Sequence, residues 1–154
     1  MPSLTPTALI ADEGLLIVLR SLLDRAAPEE GCALLLGTAE DPGWRLRQVW
    51  PCCNVWPEPA ERGHRFAVDP REQLVAQRWA RERGLQVLGV AHSHPAAPAV
   101  PSDCDRQLCV PPALLVIQGA AGDLRGWWLA EQRSEPQPLL WRMVSGRTAR
   151  PAAA

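Results

Sequence analysis

His92-Ser-His94-Pro-Ala-Ala-Pro-Ala-Val-Pro-Ser102-Asp-Cys-Asp105 is the stretch whose reading decides the fold. The residues before it, Gln86-Val-Leu-Gly-Val-Ala91, form a short apolar run, the pattern of a buried strand that delivers both histidines at its end. Strand side chains alternate, so residues two apart project to one face and both imidazoles can reach one ion. Pro95 has no N–H to donate and ends the ladder. Imidazole suits zinc, and a third ligand from the following loop, for which Asp105 is the candidate, would leave one position for water. An open position is the mark of a catalytic zinc rather than a structural one.

Working outward, the segments on either side read as alternating strands and helices. Thr7 to Ala11 is a short first strand. From Glu13 to Ala26, Leu15, Leu16, Val18, Leu19, Leu22 and Leu23 recur at three- and four-residue spacing, which predicts an amphipathic helix on a core. Pro28-Glu29-Glu30-Gly31-Cys32-Ala33-Leu-Leu-Leu-Gly37 is a turn into a buried strand, and its two carboxylates either stay in solvent or turn one toward the metal. Trp44 to Trp50 reads as an antiparallel strand after the Asp41-Pro42-Gly43 turn, and Pro51 to Gly63 as an irregular loop containing Asn54. His64 to Val68 is a short extended piece. Asp69-Pro70-Arg-Glu72 spells a cap, a first-turn proline and the acid of a capping box. The helix it opens runs to about Arg83 and stops at Gly84, with Leu74, Val75 and Trp79 inward. Beyond the histidines come a proline-rich loop, a helical turn over Ser102 to Leu108, and strands at Ala113 to Ile117, Leu124 to Ala130 and Leu139 to Val144. Residues 1–144 thus read as a single mixed α/β domain, one sheet with helices packed on it, and 145–154 as a frayed tail.

Composition narrows the function classes. At 154 residues the chain can bury a core without disulfides. A formal charge of −1 provides no field to gather nucleic acid or an acidic membrane surface. No segment approaches the roughly 20 apolar residues that cross a bilayer. Five cysteines, an odd number with Cys52 and Cys53 adjacent, do not form a secreted disulfide framework, so a cytoplasmic home is expected. The adjacent Trp127 and Trp128 must face opposite ways in a strand, one into the core and one toward a partner or a second copy of the chain in a homodimer. His64 reads as a surface residue.

The histidine stretch resembles the JAMM motif of the MPN-domain zinc metalloproteases, His-x-His-Pro followed by Ser-x-x-Asp, in its compact bacterial form. Pro28-x-Glu30-x-Cys32 looks like the segment that supplies the family's glutamate, and Asn54 and Phe66-Ala-Val-Asp69-Pro70 fall where bacterial relatives carry similar residues. Ala33 departs from the glycine of many relatives. The resemblance implies that His92, His94 and Asp105 hold zinc. It implies further that Glu30 is the general base for the attacking water and that Ser102 donates to the developing oxyanion. It also implies a β-sheet core flanked by helices, related to cytidine deaminases, and hydrolysis of an amide in the small-residue C-terminal tail of a ubiquitin-like or sulfur-carrier protein. A deaminase itself is excluded by the missing His-x-Glu and Pro-Cys-x-x-Cys pattern. Other readings stay open. Ser102-x-x-Asp105 also spells a helix capping box; Cys104 and Cys109 could complete a closed zinc site with the histidines; and the domain could be a non-catalytic scaffold or an amidohydrolase of small molecules.

Overall fold

The computed structural model describes residues 5–41, 43–131 and 135–145. Pro42 of the expected turn and residues 146–154 of the expected tail lie outside the described residues. Seven strands and three α-helices follow one another as β1 (Ala8–Asp12), α1 (Glu13–Asp24), β2 (Cys32–Thr38), β3 (Gly43–Cys52), α2 (Pro70–Arg81), β4 (Gln86–Ser93), α3 (Asp103–Leu108), β5 (Ala113–Gln118), β6 (Leu124–Leu129) and β7 (Gln137–Val144). The strands order as β1-β3-β2-β4-β5-β6-β7, and β7 returns to pair with β1, so the sheet closes into a barrel. Pairing is mixed, parallel at β1/β3, β1/β7 and β4/β5 and antiparallel elsewhere. The mixed α/β class matches the sequence reading, and closure is an addition to it. No local signal specifies the parallel β1/β7 seam, because its strands are separated by almost the whole chain.

Helix α1 starts where the Asp12 side chain accepts from the Leu15 N–H at 2.7 Å. It buries Leu16, Leu19 and Leu23 against Leu9, Leu35, Leu46, Val49, Leu88 and Val116. Each such leucine contributes about 1.5–3 kcal/mol through removal from water. Val18, expected on this face, is instead half exposed, since the buried stripe runs through 16, 19 and 23.

Helix α2 confirms its predicted start. Asp69 caps through the Arg71 N–H at 2.9 Å, and Pro70 takes the first turn. Its inward face differs from the expectation. Ala76 and Ala80 are fully buried against Leu34 and Leu36, while Leu74 and Val75 point into solvent. The two alanines let the helix lie close on the sheet, and Trp79 fills the margin against Trp50. Glu72 completes no capping box. Its carboxylate accepts from Trp50 Nε1 at 2.7 Å, tying helix to strand. Gly84, at φ +70°, takes the left-handed turn that ends the segment. His64 to Val68 is irregular rather than a strand, attached through Val55 N–H to the Ala67 carbonyl.

The Trp pair divides as alternation requires. Trp128 is buried edge-on against Trp44, and Trp127 Nε1 donates to the Ala99 carbonyl at 2.9 Å, which pins the proline-rich loop.

Candidate metal centre

The antiparallel register of β2 on β4 brings together segments some sixty residues apart. Cys32 lies opposite His92, so the next same-face pair, just beyond the end of β2, is Glu30 and His94. Four hydrogen bonds fix the backbone there. Glu30 N–H donates to the Arg62 carbonyl, and the Glu30 carbonyl accepts from Asn54 Nδ2 at 3.0 Å. Gly31 N–H donates to Ser93 Oγ at 2.8 Å, and its carbonyl accepts from Ser93 N–H. Gly31 is required, because a Cβ would meet the Leu23 carbonyl oxygen at 2.8 Å. The serine between the two histidines therefore aligns the glutamate's strand with theirs.

Asp105 arrives from the other side, on the first turn of α3. Ser102 Oγ accepts from the Asp105 N–H at 3.0 Å, and Asp105 Oδ2 accepts from the Ser102 N–H at 2.9 Å, a complete capping box. The bland reading of Ser102-x-x-Asp105 is thus correct, and it coexists with the sharper one. The same Oδ2 lies 3.1 Å from both His92 Nε2 and His94 Nε2, and those two nitrogens are 3.1 Å apart. One oxygen thus faces both the cap and the two imidazoles.

Glu30, His92, His94 and Asp105 present ligand atoms all within 4.8 Å of one another. A tetrahedral ion with nitrogen and oxygen ligands at about 2.0–2.1 Å sets those atoms roughly 3.3–3.4 Å apart, so the 3.1 Å triangle fits one shared ion. His94 Nδ1 lies 2.7 Å from the Pro98 carbonyl and donates a proton there, so that loss of the other proton, now shared with Asp105, would free the Nε2 lone pair for a metal. The His92 ring is held by stacking on Phe66, centroids 4.4 Å apart. Glu30 Oε1 is buried without a partner, as expected of an atom whose natural neighbour is a water or an ion. Cys104 and Cys109 are not part of this cluster, and the closed thiol site does not form. His64 is exposed and lies outside it. Cys32 is buried as a small apolar group.

The electrostatics follow from crowding. Burial pushes the Glu30 carboxyl up to about 8, with His94 pulling down and Asp105 adding to the rise. Burial works the same way on Asp105, but hydrogen bonds from both histidines hold it well below the usual carboxylate range. Burial lowers His92 despite Asp105. It would also lower His94, but there the Asp105 carboxylate and the Pro98 carbonyl prevail and the imidazole rises.

His92 and Asp105 of the cluster line a largely apolar cavity of about 560 Å³. Phe66, Val68, Val90, Cys104, Leu108 and Leu115 also line it. Three more residues shape the centre; the resemblance marks the positions of Asn54 and Phe66 without giving them a role, and Ser93 was missed. Asn54 is a hub. Its Nδ2 donates to the Glu30 and Arg65 carbonyls and its Oδ1 accepts from the Trp56 and Ala67 N–H groups. Phe66 is a wall of the His92 pocket, and Ser93 is the strap just described. Asn54 and Phe66 are the chain's only asparagine and only phenylalanine, a second signal beside the resemblance that marks their positions.

A family described as prokaryotic homologs of the JAB domain matches residues 12–130. A probable TtuB-protein conjugate cleaving protease of Thermus thermophilus is 37% identical over 97 residues, covering 63% of this chain and 60% of that protein. A desampylase of Pyrococcus furiosus is 35% identical over 104 residues, 67% of this chain and 69% of its own. Among solved structures, one of a Desulfitobacterium hafniense protein superimposes with a TM-score of 0.76 at 26% identity, over 91% of this chain and 97% of the other.

Proposed function

This chain belongs to the family of prokaryotic homologs of the JAB domain, and from that premise we propose that it is a zinc-dependent peptidase or isopeptidase. Its substrate is an amide in the C-terminal tail of a ubiquitin-like or sulfur-carrier protein. The observation that carries the reading is the convergence of Glu30, His92, His94 and Asp105, two of which line a largely apolar cavity. The names of the Thermus and Pyrococcus relatives point to conjugates of the same kind.

In this reading His92, His94 and Asp105 hold the ion. Bound zinc supplies Lewis acidity and lowers the pKa of a bound water to about 7. Glu30 takes a proton from the attacking water and returns it to the leaving amine. Ser102 is the oxyanion donor. Its Oγ already accepts from the Asp105 N–H, so its own O–H is free to point at the substrate. The largely apolar cavity would take up an extended tail of small residues.

The proposal includes the kinship with cytidine deaminases, one folding unit over residues 1–144, and a cytoplasmic location, to which the five free cysteines are suited. Among the described residues no helix is long and apolar enough to cross a membrane.

The test is incubation of the purified protein, with zinc or after chelation, with a carrier bearing an extension on its di-glycine tail. Release should require the metal and fail in Glu30→Gln. Cleavage that persists in that variant rejects the mechanism.

A further inference from the structure

Arg65 lines the same cavity as His92 and Asp105, and among the described residues it is the only lysine or arginine lining it. Its Nε is buried without a hydrogen-bond partner, and among the described residues its guanidinium makes no ion pair. An arginine stays charged at any working pH, so a half-buried guanidinium without an anion is an incomplete arrangement. The nearby carboxylates are already engaged. Glu61 accepts from Trp56 Nε1 at 2.7 Å, and Asp105 is held by the two histidines and the Ser102 N–H.

The group is also held in place. Its terminal carbon sits 5.3 Å from the centroid of the Trp56 ring, within cation–π range. Trp56 is itself fixed at both ends, by Glu61 at the indole N–H and by Asn54 Oδ1 at the backbone N–H. Asn54 Nδ2 holds the Arg65 carbonyl at 2.9 Å, and the next residue, Phe66, stacks on His92. A continuous set of contacts thus places this cation relative to the metal cluster.

We propose that Arg65 is a specificity-determining residue that binds the free α-carboxylate of the substrate's last residue, so that the chain prefers to remove a C-terminal residue over cutting a branched lysine conjugate. The inference rests on the peptidase reading above. In the reaction the oxygen of water bonds to the acyl carbon, the C–N bond breaks, and the leaving nitrogen gains a proton. When the leaving group is an amino acid, its carboxylate lies two bonds from that nitrogen. The cavity's other ionisable side chains offer it no cation: Asp105 is anionic, burial disfavours the charged form of His92, and Cys104 and Cys109 are thiols. A guanidinium offers a planar fork that meets both carboxylate oxygens. A lysine joined through its ε-amine places no carboxylate near the bond.

The test uses the zinc-loaded protein and three fluorescent peptides sharing a Gly-Gly tail, ending in alanine as the free acid, in alanine amide, or in an ε-linked lysine. The free acid should exceed the amide in kcat/KM by on the order of ten- to a hundredfold, as for other charge-assisted hydrogen bonds. Arg65→Gln should bring that ratio to about one, and Arg65→Lys, which keeps the charge and loses the fork, should lie between. In parallel, binding of acetyl-Gly-Gly-Ala as acid and as amide is followed by tryptophan fluorescence, with tighter binding of the acid expected and lost in Arg65→Gln. Equal handling of acid and amide by the native protein overturns the proposal, as does a preference that survives in Arg65→Gln. If no peptide is cleaved, the peptidase reading fails on its own, and the binding experiment still decides the role of Arg65.

Discussion

Glu30→Gln should stabilise the metal-free protein at neutral pH while abolishing its hydrolysis. The Glu30 carboxyl is 2% exposed and one of its oxygens has no partner. Burial chiefly, opposed by His94 and reinforced by Asp105, raises it from 4.5 to about 8. The folded chain therefore keeps a proton that the unfolded chain releases near 4.5. A group with a raised folded pKa favours the fold fully below its unfolded value, and that contribution is lost as pH climbs toward the folded one. Integrated from acid to pH 7, the loss for this carboxyl is about 3 kcal/mol, and at pH 4.5 it is under about half a kcal/mol. Glutamine has nearly the same shape and never ionises, so it avoids the loss. Urea unfolding of chelator-treated protein, followed by tryptophan fluorescence at pH 4.5, 6, 7 and 8, should show the variant's advantage growing with pH from almost nothing to about 3 kcal/mol at pH 7. Activity of the zinc-loaded variant should fall on the order of a hundredfold or more. Coincident stability curves across that range would mean that Glu30 ionises without cost, and the buried base beside the ligands would be wrong.

Three further outcomes are expected. Asp105→Asn should weaken zinc binding by more than about a hundredfold in competition with a chromophoric chelator, since it removes the one anion in the ligand triangle; an unchanged affinity would remove Asp105 from the ligand set. Asn54→Ala should cost about 2–4 kcal/mol in urea unfolding, because the Glu30 and Arg65 carbonyls and the Trp56 and Ala67 N–H groups all lose their partner; a loss near zero would show that water replaces the amide. On α2, Leu74→Gln should stay within about half a kcal/mol whereas Ala76→Leu should cost about 1–3 kcal/mol by overpacking, and the reverse order would reinstate the face read from the sequence.

That last comparison shows what the sequence could and could not disclose. Hydrophobic periodicity located α1 and α2 within a few residues, because caps such as Asp12 and Asp69-Pro70 act on their own helix. The inward face of α2 was misread because larger side chains were assumed to be the buried ones. Distance to the sheet decided otherwise, and alanines at 76 and 80 permit an approach that Leu74 and Val75 would have prevented. Barrel closure was invisible for a related reason. It depends on β7 lying parallel to β1, a contact between chain ends with no turn residue to announce it.

The metal cluster divides along the same line. His92 and His94 could be paired from strand alternation alone, since two residues on one strand share a face whatever the rest of the chain does. Glu30 could be joined to them only through resemblance, because its place depends on a β2/β4 register that slips between Leu35 and Leu36 before it aligns Cys32 with His92. A register moved by one residue would turn Glu30 to the opposite face, beside the apolar core rather than the histidines. Gly31 and Ser93 are the local devices that prevent this. The absent Cβ admits the Leu23 backbone, and the serine hydroxyl fixes the glycine N–H. Glu30 is therefore positioned less by its own side-chain contacts, one oxygen of which has none, than by the backbone on either side of it.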